Sequence, residues 1–250
     1  MRIETIHRYP VKGLSPEPME RVDLRPGDGL PEDRRFAFAQ ASSRFDPAAP
    51  EWMPKANFAC LMANARIARV RSAYDAATGR LLLSAPDTSP VEADLRTPEG
   101  RDRAEAWLTA YMGEEARGRL RLAEAPGHAF TDIPAKAVSL VGLASVAALG
   151  DRIGLWLDPV RFRANVLFSG AEPFAELDWV GRELRIGGTR LRVFKRTKRC
   201  AATEVNPETA QRDARPPAAL REHYGHADLG IYAEVLEGGP VALGDRMELA

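Results

Sequence analysis

Apolar and polar positions alternate along most of this chain in short runs, with the two-residue period that is typical of half-buried β-strands. Gly, Pro, Asn and Asp separate the runs, as at residues 25–29, 78–79, 187–188 and 238–240, where turns are expected. The runs predict strands at residues 2–7, 21–24, 35–39, 65–70, 81–84, 119–122, 165–168, 183–186, 190–194, 230–236 and 246–249.

Three longer stretches have helical character. Residues 101–112 place apolar side chains on one face, residues 143–153 are small and apolar, and residues 218–224 follow a Pro-Pro start. Many short strands with few helices predict a mainly β, β-rich α+β fold of the barrel or sandwich type, because closing a sheet removes exposed edges. Residues 83–100, rich in Pro, Asp and Thr, are expected to form a seam between domains at residues 1–100 and 101–250.

Composition narrows the functional classes. The 250 residues are 45% hydrophobic and 28% charged, which is typical of a globular chain rather than a disordered one. Lys and Arg (35) balance Asp and Glu (35), so neither nucleic acid nor a membrane is an expected partner. Glu4 lies where a secretory leader needs an apolar run, and the apolar stretch 137–150 is shorter than the ~20 residues of a membrane-spanning helix. A cytoplasmic location is therefore expected.

The densest local cluster of charge is residues 195–200, Lys-Arg-Thr-Lys-Arg-Cys, which follows a predicted strand. Nearby cations stabilise a thiolate, so Cys200 is a candidate nucleophile or soft-metal ligand. The alternative is that a solvated basic edge adjoins a small, inert, buried cysteine. Cys60 lies in an apolar run without cations, where packing explains it. Residues 201–205 are expected to continue as a strand of small residues.

Arg163 and Asn165 alternate with apolar residues and are expected to share one face of a strand. A planar guanidinium suits a phosphate or oxo group, and a carboxamide both donates and accepts hydrogen bonds. The pair therefore predicts an anionic ligand, with an exposed strand face as the alternative.

Several motifs in this order resemble a known family, the MOSC domain, named for the C-terminal part of molybdenum cofactor sulfurases. They are Arg163-Ala164-Asn165, residues 179–187, Lys198-Arg199-Cys200 with its continuation at 203–209, residues 229–232 and Gly244-Asp245. Tyr9-Pro10-Val11-Lys12 and Asp33-Arg34 resemble the N-terminal β-barrel domain that precedes it in mitochondrial amidoxime-reducing components and bacterial relatives. The resemblance implies a MOSC β-barrel interleaved with an N-terminal β-barrel-like domain.

The resemblance also implies a molybdenum cofactor, Mo-molybdopterin, whose metal is bound by Cys200. A soft thiolate is compatible with a metal that also binds the pterin's two sulfurs. By the same matching, Lys12 and Arg34 would hold the cofactor phosphate. The remaining implied cofactor contacts are Arg163, Asn165, Lys198, Arg199, Thr131 and Asp132.

Three positions depart from the reductase branch of that family. Gly13 replaces a frequent serine, Lys198 replaces the serine before the Arg-Cys pair, and residues 51–55 differ from the usual Arg-Gln segment. These departures leave cofactor binding intact as an expectation and leave the substrate open.

Two functions follow. The first is a molybdenum-dependent oxidoreductase that reduces N–O or S–O bonds of a small-molecule substrate, with electrons from an external donor protein. The second is a cofactor carrier, or a protein that passes on sulfur as a persulfide of Cys200. A zinc site at His223 and His226 is a further alternative, although no other ligand cluster is visible.

Overall fold

The computed structural model describes residues 1–250 and consists mainly of β-strands. The strands are β1 Arg2–Arg8, β2 Glu17–Met19, β3 Arg21–Leu24, β4 Ala37–Ala39, β5 Arg71–Asp75, β6 Arg80–Ser84, β7 Val91–Asp94 and β8 Arg121–Ala123. They continue as β9 Val138–Gly142, β10 Val166–Ser169, β11 Glu183–Ile186, β12 Thr189–Lys198, β13 Asp228–Glu237, β14 Gly239–Ala242 and β15 Met247–Leu249. The helices are α1 Pro98–Met112, α2 Leu143–Ile153 and α3 Pro216–Tyr224. The predicted mainly β class is confirmed.

The larger lobe is built on one eight-stranded sheet with the order β15-β11-β12-β13-β9-β10-β1-β2. Neighbours pair antiparallel except β9 and β10, which are parallel and are joined through the crossover helix α2. The pairing of β12 with β13 shifts register at three points, and such bulges increase the local twist of a sheet. Its inner face buries Ile3, Phe168, Val193 and Ile231 in one apolar core.

The smaller lobe combines the sheet β5-β6-β7, the pair β4-β8 and helix α1. Its core includes Phe36, Phe38, Leu83 and Leu108. The two lobes interleave, because β1 and β2 belong to the large sheet and β3 pairs with β14. The N-terminal stretch therefore contributes to both lobes, as the resemblance implied.

Helix boundaries follow local signals closely. α2 has the predicted bounds, and α3 begins two residues early, at Pro216. α1 begins at Pro98 because Thr97 caps it, accepting a hydrogen bond from the Gly100 amide at 3.0 Å. β12 extends to Lys198, four residues beyond the prediction, so the basic cluster lies on the strand itself.

Four local predictions are wrong. Residues 65–70 form the 3-10 helix Ala65–Arg69, which ends where the Val70 amide donates to the Ile67 carbonyl at 3.0 Å. Residues 201–205 also form a 3-10 helix, Ala201–Glu204, because the Thr203 amide bonds back to the Cys200 carbonyl. Residues 83–100 are not a seam, since they hold the end of β6, strand β7 and the start of α1.

The fourth wrong prediction is the strand face shared by Arg163 and Asn165. Arg163 ends the 3-10 helix Pro159–Phe162 in the left-handed region, with φ 53°, and β10 begins only at Val166. The division into domains at residue 100 stays a prediction, and α1 packs against β7 across it. None of the three α-helices has the length and apolar character needed to cross a bilayer.

Candidate functional site

A cleft runs between the two lobes and has about 950 Å³ of open space, its mouth included. Residues from both halves of the chain line it. All nine residues singled out from the sequence are among them: Lys12, Arg34, Thr131, Asp132, Arg163, Asn165, Lys198, Arg199 and Cys200. The tertiary structure therefore brings the whole predicted set to one place.

Cys200 lies at the end of β12, where the chain leaves the large sheet. It is half-buried, is not in a disulfide, and is held by a hydrogen bond from the Thr203 hydroxyl to its carbonyl at 2.9 Å. The Lys55 ammonium Nζ lies 3.2 Å from its Sγ. The thiol is thus at the cleft surface beside a cation from the other lobe, not sealed among aliphatic side chains.

Asp132 links two lysines at the cleft. Its Oδ1 accepts from Lys12 Nζ at 2.6 Å, and its Oδ2 accepts from Lys55 Nζ at 2.8 Å. Burial opposes ionisation, but the two ammonium groups outweigh it and hold the pKa of Asp132 well below its usual range. Burial also lowers the pKa of Lys12, whereas for Lys55 the effect of burial is outweighed by Asp132 and Cys200, which raise its pKa. A chain of polar contacts therefore joins Lys12 to the sulfur.

Two arginines that line the cleft, Arg34 and Arg163, flank the buried ring of Tyr9. The guanidinium carbons of Arg34 and Arg163 lie 4.3 and 4.4 Å from its centroid, within cation–π range. Arg34 pairs with Asp33 at 2.5 Å and donates to the Arg163 carbonyl at 2.9 Å. Arg163 forms no ion pair, and burial lowers its pKa to about 10. Its positive charge is therefore not neutralised by a carboxylate partner.

Arg199 is buried and held by carbonyl oxygens instead of carboxylates. Its Nε donates to Leu229 O at 2.6 Å and its Nη1 to Phe162 O at 2.8 Å. Its Nη2 is buried without a partner, as is the hydroxyl of Thr197, which also lines the cleft. Unpartnered buried donors carry a desolvation cost that an acceptor in the cleft would relieve.

Asn165 and Thr131 line the cleft, yet their polar atoms are used by the fold. The Asn165 side chain accepts from the Ser139 amide and hydroxyl, at 3.1 and 2.7 Å, and donates to His7 O at 3.2 Å. The Thr131 hydroxyl donates to Ile133 O at 2.7 Å. Both residues shape the wall of the cleft.

The sequence analysis missed Lys55, Thr197 and Tyr232 as cleft residues. Lys55 had a signal, since the chain has few lysines and three of them, Lys12, Lys55 and Lys198, line the cleft. Thr197 and Tyr232 lie inside the motif stretches 195–200 and 229–232, but only long-range packing shows that they line the cleft. Cys60 lines the cleft as well, but it is buried, and burial raises the pKa of its thiol.

The zinc alternative has no ligand set. No group of three or more His, Cys, Asp and Glu side chains in the chain is arranged to hold a metal ion. His226 Nδ1 instead accepts a hydrogen bond from the Asp228 amide at 3.1 Å, a local structural role.

Known proteins resemble this chain at modest identity. Mitochondrial amidoxime-reducing component 1 of Xenopus laevis is 27% identical over 180 residues, covering 61% of this chain and 52% of that protein. Molybdenum cofactor sulfurase of Danio rerio is 30% identical over 183 residues, covering 58% of this chain and 22% of that protein. The chain thus spans about half the length of the first relative and about a fifth of the second. The solved YUAD protein of Bacillus subtilis aligns over 99% of this chain and 94% of that chain, with a TM-score of 0.47 and 15% identity.

Family models account for almost the entire chain. Residues 1–119 match the MOSC N-terminal beta barrel domain, and residues 127–248 match the MOSC domain. The cleft that holds Cys200 lies between these two matched regions and takes residues from both. The chain belongs to the MOSC domain family, with an N-terminal beta barrel domain followed by the MOSC domain.

Proposed function

We propose that this protein binds a molybdenum cofactor in the cleft, with Cys200 as the protein ligand of the metal, and reduces N–O or S–O bonds of a small molecule. The observation that carries the proposal is the convergence of a half-buried thiol with several buried cations in one cleft between the lobes. The names of its relatives, an amidoxime-reducing component and a molybdenum cofactor sulfurase, support the same chemistry.

The residues of the cleft fit such a cofactor. Arg199 Nη2 and the Thr197 hydroxyl are buried donors without partners, and Arg163 has no acidic partner, so an anionic guest would satisfy all three. Thiolate sulfur is a preferred ligand for soft metal centres. A pterin cofactor carries both an anionic phosphate and a sulfur-bound metal, which matches the two kinds of group that the cleft supplies.

Each side chain has a role in this proposal. Lys12 and Arg34 would bind the phosphate from the N-terminal side, while Arg163 and Arg199 would neutralise the rest of the anionic cofactor and Lys198, which is exposed, would contact its outer edge. The bound cofactor supplies a metal that exchanges electron pairs and oxygen atoms with substrate. Lys55 holds its ammonium beside the Cys200 sulfur and keeps that atom oriented into the cleft. Asn165, through Ser139, fixes the strand that carries the cleft wall. A separate donor protein would deliver the electrons.

Cofactor copurification tests the proposal. The protein is produced in a host that synthesises molybdopterin and in a matched strain that does not, and molybdenum and pterin are measured in both preparations. We expect near-stoichiometric molybdenum and pterin from the first host alone, together with reduction of an N-hydroxylated or sulfoxide substrate by an artificial electron donor. If the first preparation contained neither molybdenum nor pterin, the proposal would be overturned.

The carrier or persulfide function is the second candidate, because the contact between Lys55 Nζ and Cys200 Sγ would also favour sulfur chemistry at this thiol. The same preparations distinguish the two. Sulfur released by cyanide, without molybdenum, supports the persulfide function. Molybdenum without turnover supports a carrier.

A further inference from the structure

Positive charge in the cleft exceeds negative charge. Seven cationic residues line it: Lys12, Arg34, Lys55, Arg161, Arg163, Lys198 and Arg199. Two acidic residues line it, and both are already in ion pairs, Asp33 with Arg34 and Asp132 with Lys12 and Lys55. Arg161 is neutralised from outside the cleft by Asp213 at 2.8 Å. The excess therefore falls on Arg163, Lys198 and Arg199, none of which forms an ion pair. It also falls on Lys12 and Lys55, which share the single negative charge of Asp132.

The excess of positive charge extends to the part of the cleft between the Cys200 sulfur and the solvent. The Lys55 side chain is 26% exposed, and its Nζ lies 3.2 Å from Cys200 Sγ. It can therefore contact a molecule at the cleft mouth while it remains next to the sulfur. Lys198, two residues before Cys200, is exposed and has no hydrogen-bond or salt-bridge partner. A molecule that approaches the sulfur from the mouth meets two ammonium groups and no uncompensated carboxylate.

The cofactor phosphate accounts for only part of this charge. A phosphate monoester carries about −1.5 to −2 at neutral pH. Lys12 and Arg34, the residues proposed to bind it, lie on the N-terminal side. Lys55 instead contacts the thiol, and Lys198 lines the cleft two residues before Cys200 in the chain. A low-dielectric cleft lined by one sign of charge concentrates ligands of the opposite sign.

We propose that the substrate of this site is an anion, a small molecule bearing a carboxylate or similar oxyanion group, and that Lys55 and Lys198 select it at the cleft mouth. The inference rests on the proposed function, because it names the substrate class of that same site. It goes beyond the proposed function by specifying the charge of the substrate. A neutral amidoxime or sulfoxide would gain no ion pair from the positive charge near the sulfur. Lys55 and Lys198 are therefore specificity-determining residues.

Two alkylating reagents that differ in charge test the inference. Iodoacetate is an anion and iodoacetamide is neutral, and with each the thiolate sulfur forms a bond to carbon as iodide leaves. Both react with the same thiolate, so the ratio of their rates at Cys200 does not depend on how much of the thiol is ionised. The ratio is measured on full-length, cofactor-free protein by mass spectrometry of the peptide that contains Cys200, with an uncharged cysteine peptide as reference.

We expect the iodoacetate-to-iodoacetamide ratio at Cys200 to exceed that of the reference peptide about fivefold, the effect of one unit charge about 4 Å away in water. Lys55→Gln should lower the ratio by about the same factor, or further, since it also removes a partner of Asp132. Lys198→Gln should lower it less. Raising the salt to about 1 M, where the Debye length is ~3 Å, should bring the wild-type ratio toward the reference.

Lys195→Gln is the control, because it removes one lysine charge, as the other two variants do, but at an exposed position outside the cleft; Lys195 shares strand β12 with Lys198. It should change the ratio by less than about twofold. A wild-type ratio equal to the reference, or equal effects of Lys195→Gln and Lys55→Gln, would overturn the inference. Molybdenum analysis of cofactor-loaded protein tests the proposed function separately, so a raised ratio without molybdenum would leave an anion site and refute only the cofactor.

Discussion

Lys55 Nζ and Cys200 Sγ, 145 positions apart in the sequence, are 3.2 Å apart in the folded protein. Lys55 begins the 3-10 helix Lys55–Asn57 of the smaller lobe, and Cys200 lies two residues after β12, a ten-residue strand of the large sheet. The contact depends on how the two lobes pack. It makes Cys200 the one of the two cysteines that meets a cation directly.

Cys200→Ala should abolish molybdenum retention while leaving the fold intact, because Cys200 is half-buried and its backbone, not its thiol, bonds to Thr203. Molybdenum content and a thermal unfolding curve of each preparation measure the two effects. Cys60→Ala is the matched control: Cys60 is buried in the same cleft wall, and its loss should cost ~1 kcal/mol of stability and leave molybdenum bound. Full activity in Cys200→Ala would contradict the assignment of the ligand.

Gly230→Ala should destabilise the protein by about 3 kcal/mol, because its φ of +82° disfavours a side chain and overpacking adds to that strain. A Cβ there would lie 2.5 Å from Leu140 O and 2.9 Å from Arg199 Nη2, so it would also displace the guanidinium in the cleft. Gly154→Ala is the control, since φ is +68° but nothing lies within 4 Å of the added carbon. It should cost about 1 kcal/mol in a urea unfolding experiment. Equal costs at the two sites would refute the packing argument.

Arg161→Met should destabilise the protein by about 3 kcal/mol. The Arg161 side chain is 2% exposed and donates to the carbonyls of Thr203 and Glu204, both at 3.1 Å, and to Asp213. Its loss would leave buried carbonyls unpaired just after Cys200. Asp213→Asn should cost ~1 kcal/mol or less, because Asp213 is 38% exposed and the amide still accepts a hydrogen bond. Urea unfolding of both variants checks the order, which would be reversed if the ion pair mattered more than the carbonyl bonds.

Glu176 should make stability fall with rising pH. It is fully buried, and burial raises the pKa of its carboxyl above the ordinary 4.5, although hydrogen bonds from Ser145 and Gly142 oppose this. A raised folded-state pKa means that the native state binds a proton the unfolded chain has lost. The stabilising contribution is therefore complete below about pH 4.5 and is lost as the pH rises through the folded-state pKa.

Glu176→Gln removes that titration while keeping the shape of the side chain. The difference in unfolding free energy between wild type and Glu176→Gln should favour the wild type most at about pH 4.5 and shift toward the variant by pH 8. Urea unfolding at several pH values measures the difference. A difference that does not change with pH would mean that Glu176 does not titrate differently in the folded state.

Local patterns predicted most of the secondary structure, whereas the resemblance to a known family supplied most of the predicted cleft residues. α2 and β11 have the predicted bounds, and alternation located β3 and β13 within two residues. The family motifs assigned residues as distant in the sequence as Lys12 and Cys200 to one site, without information on where they lie in the fold. The strands and helices could be predicted because side-chain period, capping and turn chemistry act between residues that are close in the sequence.

Long-range packing decided the rest. The sequence alone determined the β-rich class, the basic cluster and Cys200 as the candidate ligand, since each depends on residue type and near neighbours. Only the tertiary structure placed Lys55 against the sulfur, flanked Tyr9 with Arg34 and Arg163, and used the amide of Asn165 to bind Ser139 and His7. Contacts between residues more than a hundred positions apart depend on which strands pair and how two lobes meet, and no local period carries that information.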